Sequence, residues 1–257
     1  MKTCRLCQNS SDLRKSHIFP RSIYKGLKKD SGQLLNLSVD KPLEAKLSNS
    51  NPTEMLLCGE CEQFLNRNYE GYGTRLLKDH QKFKKTPEGL IIKNFKFNKF
   101  YLYLISILWR ASESILHVFS NVELGSKFNE YFRCCILNRS TRLNTSLKLE
   151  HFCRISMVKL VDPSGDIPPE VMRKLLMYIT KELGTSAQDP VLFYFVVDGF
   201  LIIYYLRIFD DIHEQRTEII AAQLTNNHRV FVPKVDYRTF KFLNQAFEAI
   251  NVYHEKK

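Results

Sequence analysis

The stretch VLFYFVVDGFLIIYYLRIF, residues 191–209, decides the fold of the second half of the chain. It is nearly long enough for a membrane-spanning helix. However, Asp198-Gly199 lies at its middle, between two seven-residue apolar runs rich in Val, Ile, Phe and Tyr. Asp-Gly between such runs favours a tight hairpin turn, which requires positive φ at both positions. The stretch therefore predicts two buried strands, and we expect no membrane partner.

The segments on either side of this hairpin carry helix and strand patterns. We expect helices over residues 98–119, 126–137, 168–183 and 237–253, and strands over 152–161 and 229–235. The first helix is apolar on nearly every face, so it should be the buried centre of a core. A helical block followed by strands and helices in this order is typical of an α+β domain. We therefore predict an α+β C-terminal domain over residues 98–257, with a β-hairpin.

The first 75 residues have few long apolar runs, but they contain two CxxC pairs, Cys4/Cys7 and Cys58/Cys61. Two such pairs supply four thiolates, which is a ligand set that Zn²⁺ prefers in structural sites. A segment that cannot build a large core of its own also needs a metal to hold it together. We therefore predict a small zinc-bound domain over residues 1–75.

The other three cysteines are Cys134, Cys135 and Cys153, and we expect them to be free thiols. Metal thiolates and free thiols are typical of a reducing compartment. The sequence also opens without the apolar segment of a secretory signal. Both observations favour a cytoplasmic protein.

Basic residues are in excess, with a formal net charge of +11 and a pI near 9.3. Residues 71–110 contain nine Lys or Arg against Asp79 and Glu88, so that this stretch is net +7. An excess of this size indicates a polyanionic partner, either nucleic acid or an acidic membrane surface. We interpret residues 76–97 as a basic linker that contacts phosphates or is simply solvated.

The stretch Lys15-Ser16-His17-Ile18-Phe19-Pro20 lies between the two CxxC pairs, with His17 ten residues after Cys7. A histidine, an isoleucine and a proline in this spacing, before a closing CxxC and a helix, resemble the HNH (His-Me finger, treble-clef zinc) endonucleases. The resemblance covers residues 4–70 and implies a ββα/treble-clef-like fold. It also implies metal-dependent hydrolysis of nucleic-acid phosphodiester bonds.

In that family His17 would be the general base, and one divalent ion, Mg²⁺ or Mn²⁺, would bind the scissile phosphate. The resemblance offers Ser16, Glu62, Asn66 and Glu70 as candidate ligands of this catalytic metal. Ser16 departs from the family, which often has a better ligand before the histidine. Glu62 offers a hard oxygen donor that suits Mg²⁺, and Asn66 and Glu70 follow it at helical spacing.

Further positions follow from the same resemblance. Arg14, Lys15 and Arg21 are candidates for binding the phosphate, or are surface charges. Asn51 and Asn36 are candidates for the asparagine that ties the ββα loop together, and Asn51 is the closer to the closing CxxC.

The resemblance therefore predicts an endonuclease that cuts DNA in preference to RNA. Relatives of this type are often found in microbial defence, including antiviral systems, and a protein partner could bind the C-terminal domain. The alternative is a non-catalytic module, stabilised by zinc, that binds nucleic acid or another protein through the same surfaces.

Overall fold

The structure is a computed structural model that describes residues 2–27, 34–37, 46–48, 51–79, 83–143, 147–182, 191–206, 222–245 and 247–248. Helices and strands are mixed along this part of the chain, which confirms the α+β class. None of the described helices is long and apolar enough to cross a membrane.

The N-terminal third consists of short elements. Its described strands are β1 (Lys2–Thr3), β2 (Ser10–Ser11), β3 (Leu13–His17), β4 (Leu34–Leu37), β5 (Lys46–Ser48) and β6 (Thr53–Cys58). Its described helices are α1 (Arg21–Leu27), α2 (Gly59–Leu65) and α3 (Gly71–Lys78). A π-helical turn over Asn66–Glu70 joins α2 to α3.

The rest of the chain contains longer elements. Its described strands are β7 (Phe83–Lys85), β8 (Gly89–Lys93), β9 (Cys153–Val161), β10 (Leu175–Lys181), β11 (Val191–Val197), β12 (Phe200–Leu206) and β13 (Arg229–Asp236). Its described helices are α4 (Phe97–Glu113), α5 (Gly125–Asn138), α6 (Leu149–Phe152) and α7 (Pro169–Lys174), with 3-10 turns at His117–Phe119 and Tyr237–Thr239.

Nine of the described strands form one mixed sheet, in the order β5-β4-β10-β11-β12-β9-β13-β8-β7. The β4–β10 and β9–β13 pairs are parallel, and the other neighbours are antiparallel. One face packs against α4, and the other packs against Met172, Phe240 and Leu243. The central strands therefore have apolar side chains on both faces.

The predicted hairpin is confirmed. Strands β11 and β12 pair from Val191↔Leu206 to Val197↔Phe200, and residues 207–209 lie outside the described residues. The turn residues Asp198 and Gly199 have φ values of 51° and 70°. Both values are positive, as a two-residue turn of this kind requires.

Residues 168–183 do not form the predicted single helix. Helix α7 ends at Lys174, and the next seven residues form β10, which pairs with β4 and β11. Six of those seven residues are buried, from Leu175 to Thr180. An apolar run that is buried on both faces carries no strand periodicity, so the sequence pattern could not separate it from a buried helix.

Two other predicted helices differ from the structure at their ends. The helix expected over residues 98–119 ends at Glu113, and Ser114 donates its hydroxyl hydrogen to Glu54 Oε2 at 2.7 Å. The helix expected over residues 237–253 begins as a 3-10 turn, and its described helical residues are 241–245 and 247–248. The remainder of that prediction lies outside the described residues.

The segment 76–97, interpreted from sequence as a basic linker, is part of the fold. It contains the end of α3 and the strands β7 and β8, and β8 pairs with β13 in the large sheet. The regions before and after it also share one core, because Phe19 packs against Phe195, Tyr178 and Phe119. The N-terminal region is therefore docked onto the sheet.

Candidate functional site

Four cysteines meet at the base of the β3–β6 pair. Cys4 and Cys7 lie on the turn after β1, Cys58 ends β6 and Cys61 lies in α2. Their Sγ atoms lie within 4.8 Å of one another, and those of Cys7 and Cys58 are 3.9 Å apart. A tetrahedral site with Zn–S bonds of 2.3 Å has S···S edges of about 3.8 Å. The four cysteines are therefore close enough together to hold a metal ion such as zinc.

Backbone N–H groups near these cysteines stabilise the thiolate of Cys4. Gln8 has a φ of 64°, and its N–H donates to the carbonyl of Cys4 at 2.9 Å, which closes the first turn. Burial opposes ionisation of Cys4, but backbone N–H groups, first that of Cys58, hold its pKa below the usual value. Burial raises the pKa of Cys7 and of Cys61. The positive charge of a metal ion would keep all four sulfurs as thiolates.

The β3–β6 pair also positions His17. The two strands are antiparallel, with a bulge between Arg14 and Lys15, and His17 lies opposite Thr53 at the end of the ladder. Helix α2 begins directly after β6 and brings Glu62 to the same side as His17. This arrangement of two strands and a helix places the histidine beside a carboxylate.

A cleft of about 340 Å³ lies beside His17. It is lined by His17, Pro20, Arg21, Ser22, Glu62, Gln63, Asn66, Glu70 and Arg110. Three of these residues carry a buried polar atom that has no hydrogen-bond partner among the described residues, namely His17 Nδ1, Glu62 Oε1 and Arg110 Nη2. Buried polar atoms are nearly always satisfied in folded proteins. Three unpartnered atoms around one cleft make this cleft the candidate site.

Arg110 is the residue that the sequence interpretation missed. Its side chain is 1% exposed, and its Nη1 forms an ion pair with Glu70 Oε1 at 2.9 Å. The same Nη1 donates a hydrogen bond to the His17 carbonyl, also at 2.9 Å. Its Nε donates to the Ser106 carbonyl at 3.2 Å. The available signal was that Arg110 is the single charged residue within residues 100–111, because a buried Arg almost always has a partner.

The three candidate metal ligands on the helix all line the cleft, but they are not equivalent. Glu70 is held by Arg110, Asn66 is exposed, and Glu62 keeps one unpartnered oxygen. Among the described residues, the four cysteines are the only group of three or more His, Cys, Asp or Glu side chains close enough to hold one ion. A divalent ion in the cleft would therefore have few protein ligands.

Ser16, the other candidate ligand, is not part of the cleft. It is fully buried, and its hydroxyl accepts a hydrogen bond from the Leu57 N–H at 3.0 Å and donates to the Arg14 carbonyl at 3.4 Å. Successive side chains of a strand point to opposite faces. The side chain of Ser16 therefore points into the N-terminal core, whereas that of His17 points out of it.

The candidate phosphate-binding residues divide in the same way. Arg21 lines the cleft, whereas Arg14 and Lys15 are exposed on β3 and do not line it. The two candidate asparagines lie in different parts of the fold. Asn51 precedes β6 and has a buried, unpartnered Oδ1. Asn36 lies in β4, where its backbone pairs with Leu176 in the large sheet.

Comparisons with known proteins gave no relative on which to base a function. No protein family, curated protein or solved structure matches this chain. The function is therefore argued from the geometry of the site.

Proposed function

We propose that this protein is a metal-dependent endonuclease of the HNH type that hydrolyses nucleic-acid phosphodiester bonds. The observation that carries the proposal is the set of unpartnered polar atoms of His17, Glu62 and Arg110 around one cleft. A base, an oxygen donor and a cation are the three groups that phosphodiester hydrolysis uses.

His17 is the general base in this proposal. Its Nδ1 has no hydrogen-bond partner, and Arg110 fixes the backbone at this position through the His17 carbonyl. A neutral imidazole can take a proton from water as the water attacks phosphorus.

Glu62 and Asn66 would hold the divalent ion. Mg²⁺ usually keeps several waters and binds through one or two protein carboxylates together with substrate phosphate, so a site with few protein ligands fits it. The bound ion would neutralise charge on the phosphate and on the leaving oxygen. Glu70 would not bind the ion in this proposal, because its carboxylate is paired with Arg110.

Arg110 and Arg21 would bind the phosphate. The Nη2 of Arg110 is left over after its other nitrogens are paired, and Arg21 lies at the start of α1 on the edge of the cleft. Guanidinium groups bind phosphate oxygens with charge-assisted hydrogen bonds.

The four cysteines would hold Zn²⁺ with a structural role. Protein sulfur would fill all four positions of a tetrahedral shell and would leave no open position for substrate. The ion would fix the end of β6 against the turn after β1, and with it the position of α2.

A second candidate is a zinc-stabilised module that binds nucleic acid or a protein without cutting. One observation favours it. Ser16 points away from the cleft, so the side chain that precedes His17 adds nothing to a metal site.

The deciding experiment is cleavage of plasmid DNA and of RNA with added Mg²⁺ or Mn²⁺. We expect His17→Ala to reduce the cleavage rate by about 10²–10⁴-fold, the usual contribution of a general base. His117→Ala is the matched control, because His117 is exposed on a 3-10 turn outside the cleft. Both variants should keep the zinc content of the wild type. Binding without cleavage by the wild type would favour the second candidate.

A further inference from the structure

The end of the nine-stranded sheet formed by β7, β8 and β13 has two different faces. Phe83, Ile92 and Val230 lie in one row across these strands and are buried. Side chains alternate along a strand, so the neighbouring row points the other way. This opposite surface, here called the outer face, consists of Lys84, Ile91, Lys93, Arg229 and Phe231.

The outer face carries three exposed cations, Lys84, Lys93 and Arg229. None of them is in an ion pair with a described residue. Lys93 and Arg229 are also directly opposite each other in the β8–β13 ladder. Like charges in this position repel and destabilise a sheet, so a bound anion would relieve the repulsion.

Phe231 lies among these cations with 43% of its surface exposed. Its ring lies over Gly89, because a Cβ atom at Gly89 would be 2.6 Å from both Cε2 and Cζ of Phe231. The ring therefore occupies the space over the glycine and still presents a large apolar surface to solvent.

We propose that the outer face binds single-stranded nucleic acid, with a base stacked on Phe231 and phosphates held by Lys84, Lys93 and Arg229. Aromatic rings surrounded by cations bind single strands in this way, because every base has a π-face. The bases of a duplex are already stacked and are not free to stack on the ring. None of these residues lines the cleft beside His17, so the proposal does not rest on cleavage.

The first test measures binding of a fluorescent oligothymidine to the full chain, without added divalent ion. Phe231→Leu keeps an apolar cover over Gly89 but removes the aromatic ring, and we expect it to weaken binding about tenfold. Phe231→Tyr keeps the ring and should bind within about twofold of the wild type. Phe231→Trp adds a reporter whose fluorescence should be quenched when a base stacks on it, whereas Trp109 is buried.

The second test separates the cations of the outer face from general charge. Replacing Lys84, Lys93 and Arg229 by Gln should reduce the slope of log Kd against log salt by about 2, which is roughly 0.7 for each lost phosphate contact. Lys85→Gln is the matched control, because Lys85 is an exposed neighbour on the same strand whose side chain belongs to the opposite face.

Several results would overturn the proposal. Equal binding by Phe231→Leu and Phe231→Tyr would mean that the ring only covers Gly89. Lys85→Gln could lower the slope of log Kd against log salt by as much as one outer-face replacement does. That result would mean that binding depends on general charge and not on the outer face. A duplex that binds as tightly as the single strand would exclude stacking, and binding to phosphatidylserine vesicles without oligonucleotide binding would assign the face to a membrane surface.

Discussion

The β3–β6 and β11–β12 pairs are both antiparallel, but different forces stabilise them. Strands β11 and β12 pair without interruption, and nearly all of their residues are buried. Strands β3 and β6 are interrupted by a bulge, and most residues of β3 are exposed or half-buried. The β3–β6 pair ends instead at the four cysteines. Apolar burial stabilises the first pair, whereas the second has four cysteines beside it that could hold a metal ion.

This difference shows where polar chemistry can be placed. A strand buried on both faces has no room for an unpartnered polar side chain, because the cost of burying one is several kcal/mol. The β3–β6 region contributes His17 and adjoins Glu62, and both keep an unpartnered atom. From the sheet region, Arg110 on α4 is the residue that lines the cleft beside His17. The predictions below test how separate the two regions are.

The largest effect is expected from loss of the four-cysteine site. Cys61→Ala would leave three of the four sulfurs, and we expect the β3–β6 region to open while β11–β12 stays folded, because only the former lies beside the four cysteines that could hold a metal ion. Structural zinc contributes about 10–16 kcal/mol of apparent binding free energy in zinc-finger peptides. Hydrogen exchange should show fast exchange in peptides from residues 13–17 and 53–65, with protection retained in residues 191–206.

Cys134→Ala is the control for this variant, because Cys134 is half-buried on α5 and outside the group of four cysteines. It should keep both the metal and the protection pattern. If residues 191–206 also exchange fast in Cys61→Ala, the two regions unfold as one unit, coupled through the contacts of Phe19 with the sheet.

A smaller effect is expected at the ion pair between the regions. Arg110→Met leaves Glu70 without its partner, and we expect a loss of about 3–5 kcal/mol in the free energy of unfolding, measured in urea. Adding Glu70→Gln should recover part of this loss, since the carboxylate is then no longer charged. If the losses in the single variants Arg110→Met and Glu70→Gln add up to the loss in the double variant, the two residues are not coupled. Under the proposed function, Arg110→Met should also slow cleavage, because it removes a cation from the cleft.

The smallest effect is expected where α3 packs on α4. A Cβ atom at Gly73 would lie 2.2 Å from the ring of Tyr103, so Gly73→Ala must displace that ring or separate the two helices. We expect a loss of about 1–3 kcal/mol, as for other overpacked positions. Gly71→Ala is the matched control in the same helix, because its nearest contact is at 3.4 Å. There the helix preference of Ala should stabilise by up to about 1 kcal/mol. Thermal unfolding of both variants measures the contrast, and an equal loss in the two would exclude the packing explanation.

Part of the fold and of the site could be predicted from local patterns. The CxxC pairs predicted a group of four cysteines, and Asp198-Gly199 predicted the hairpin. The strand β10 could not be predicted, because a segment buried on both faces shows no periodicity. The strands β7 and β8 were hidden by their lysines, which lie where the sheet is open to solvent.

The sequence by itself determined which residues could bind a metal and which could form a tight turn, because these properties depend on side-chain type and on spacings of a few residues. Only the tertiary structure decided that Ser16 points away from the cleft and that Arg110 points into it. The first depends on the register of β3 with β6, and the second joins residues 93 positions apart through the His17 carbonyl. Contacts of that kind arise from packing, which no local pattern encodes.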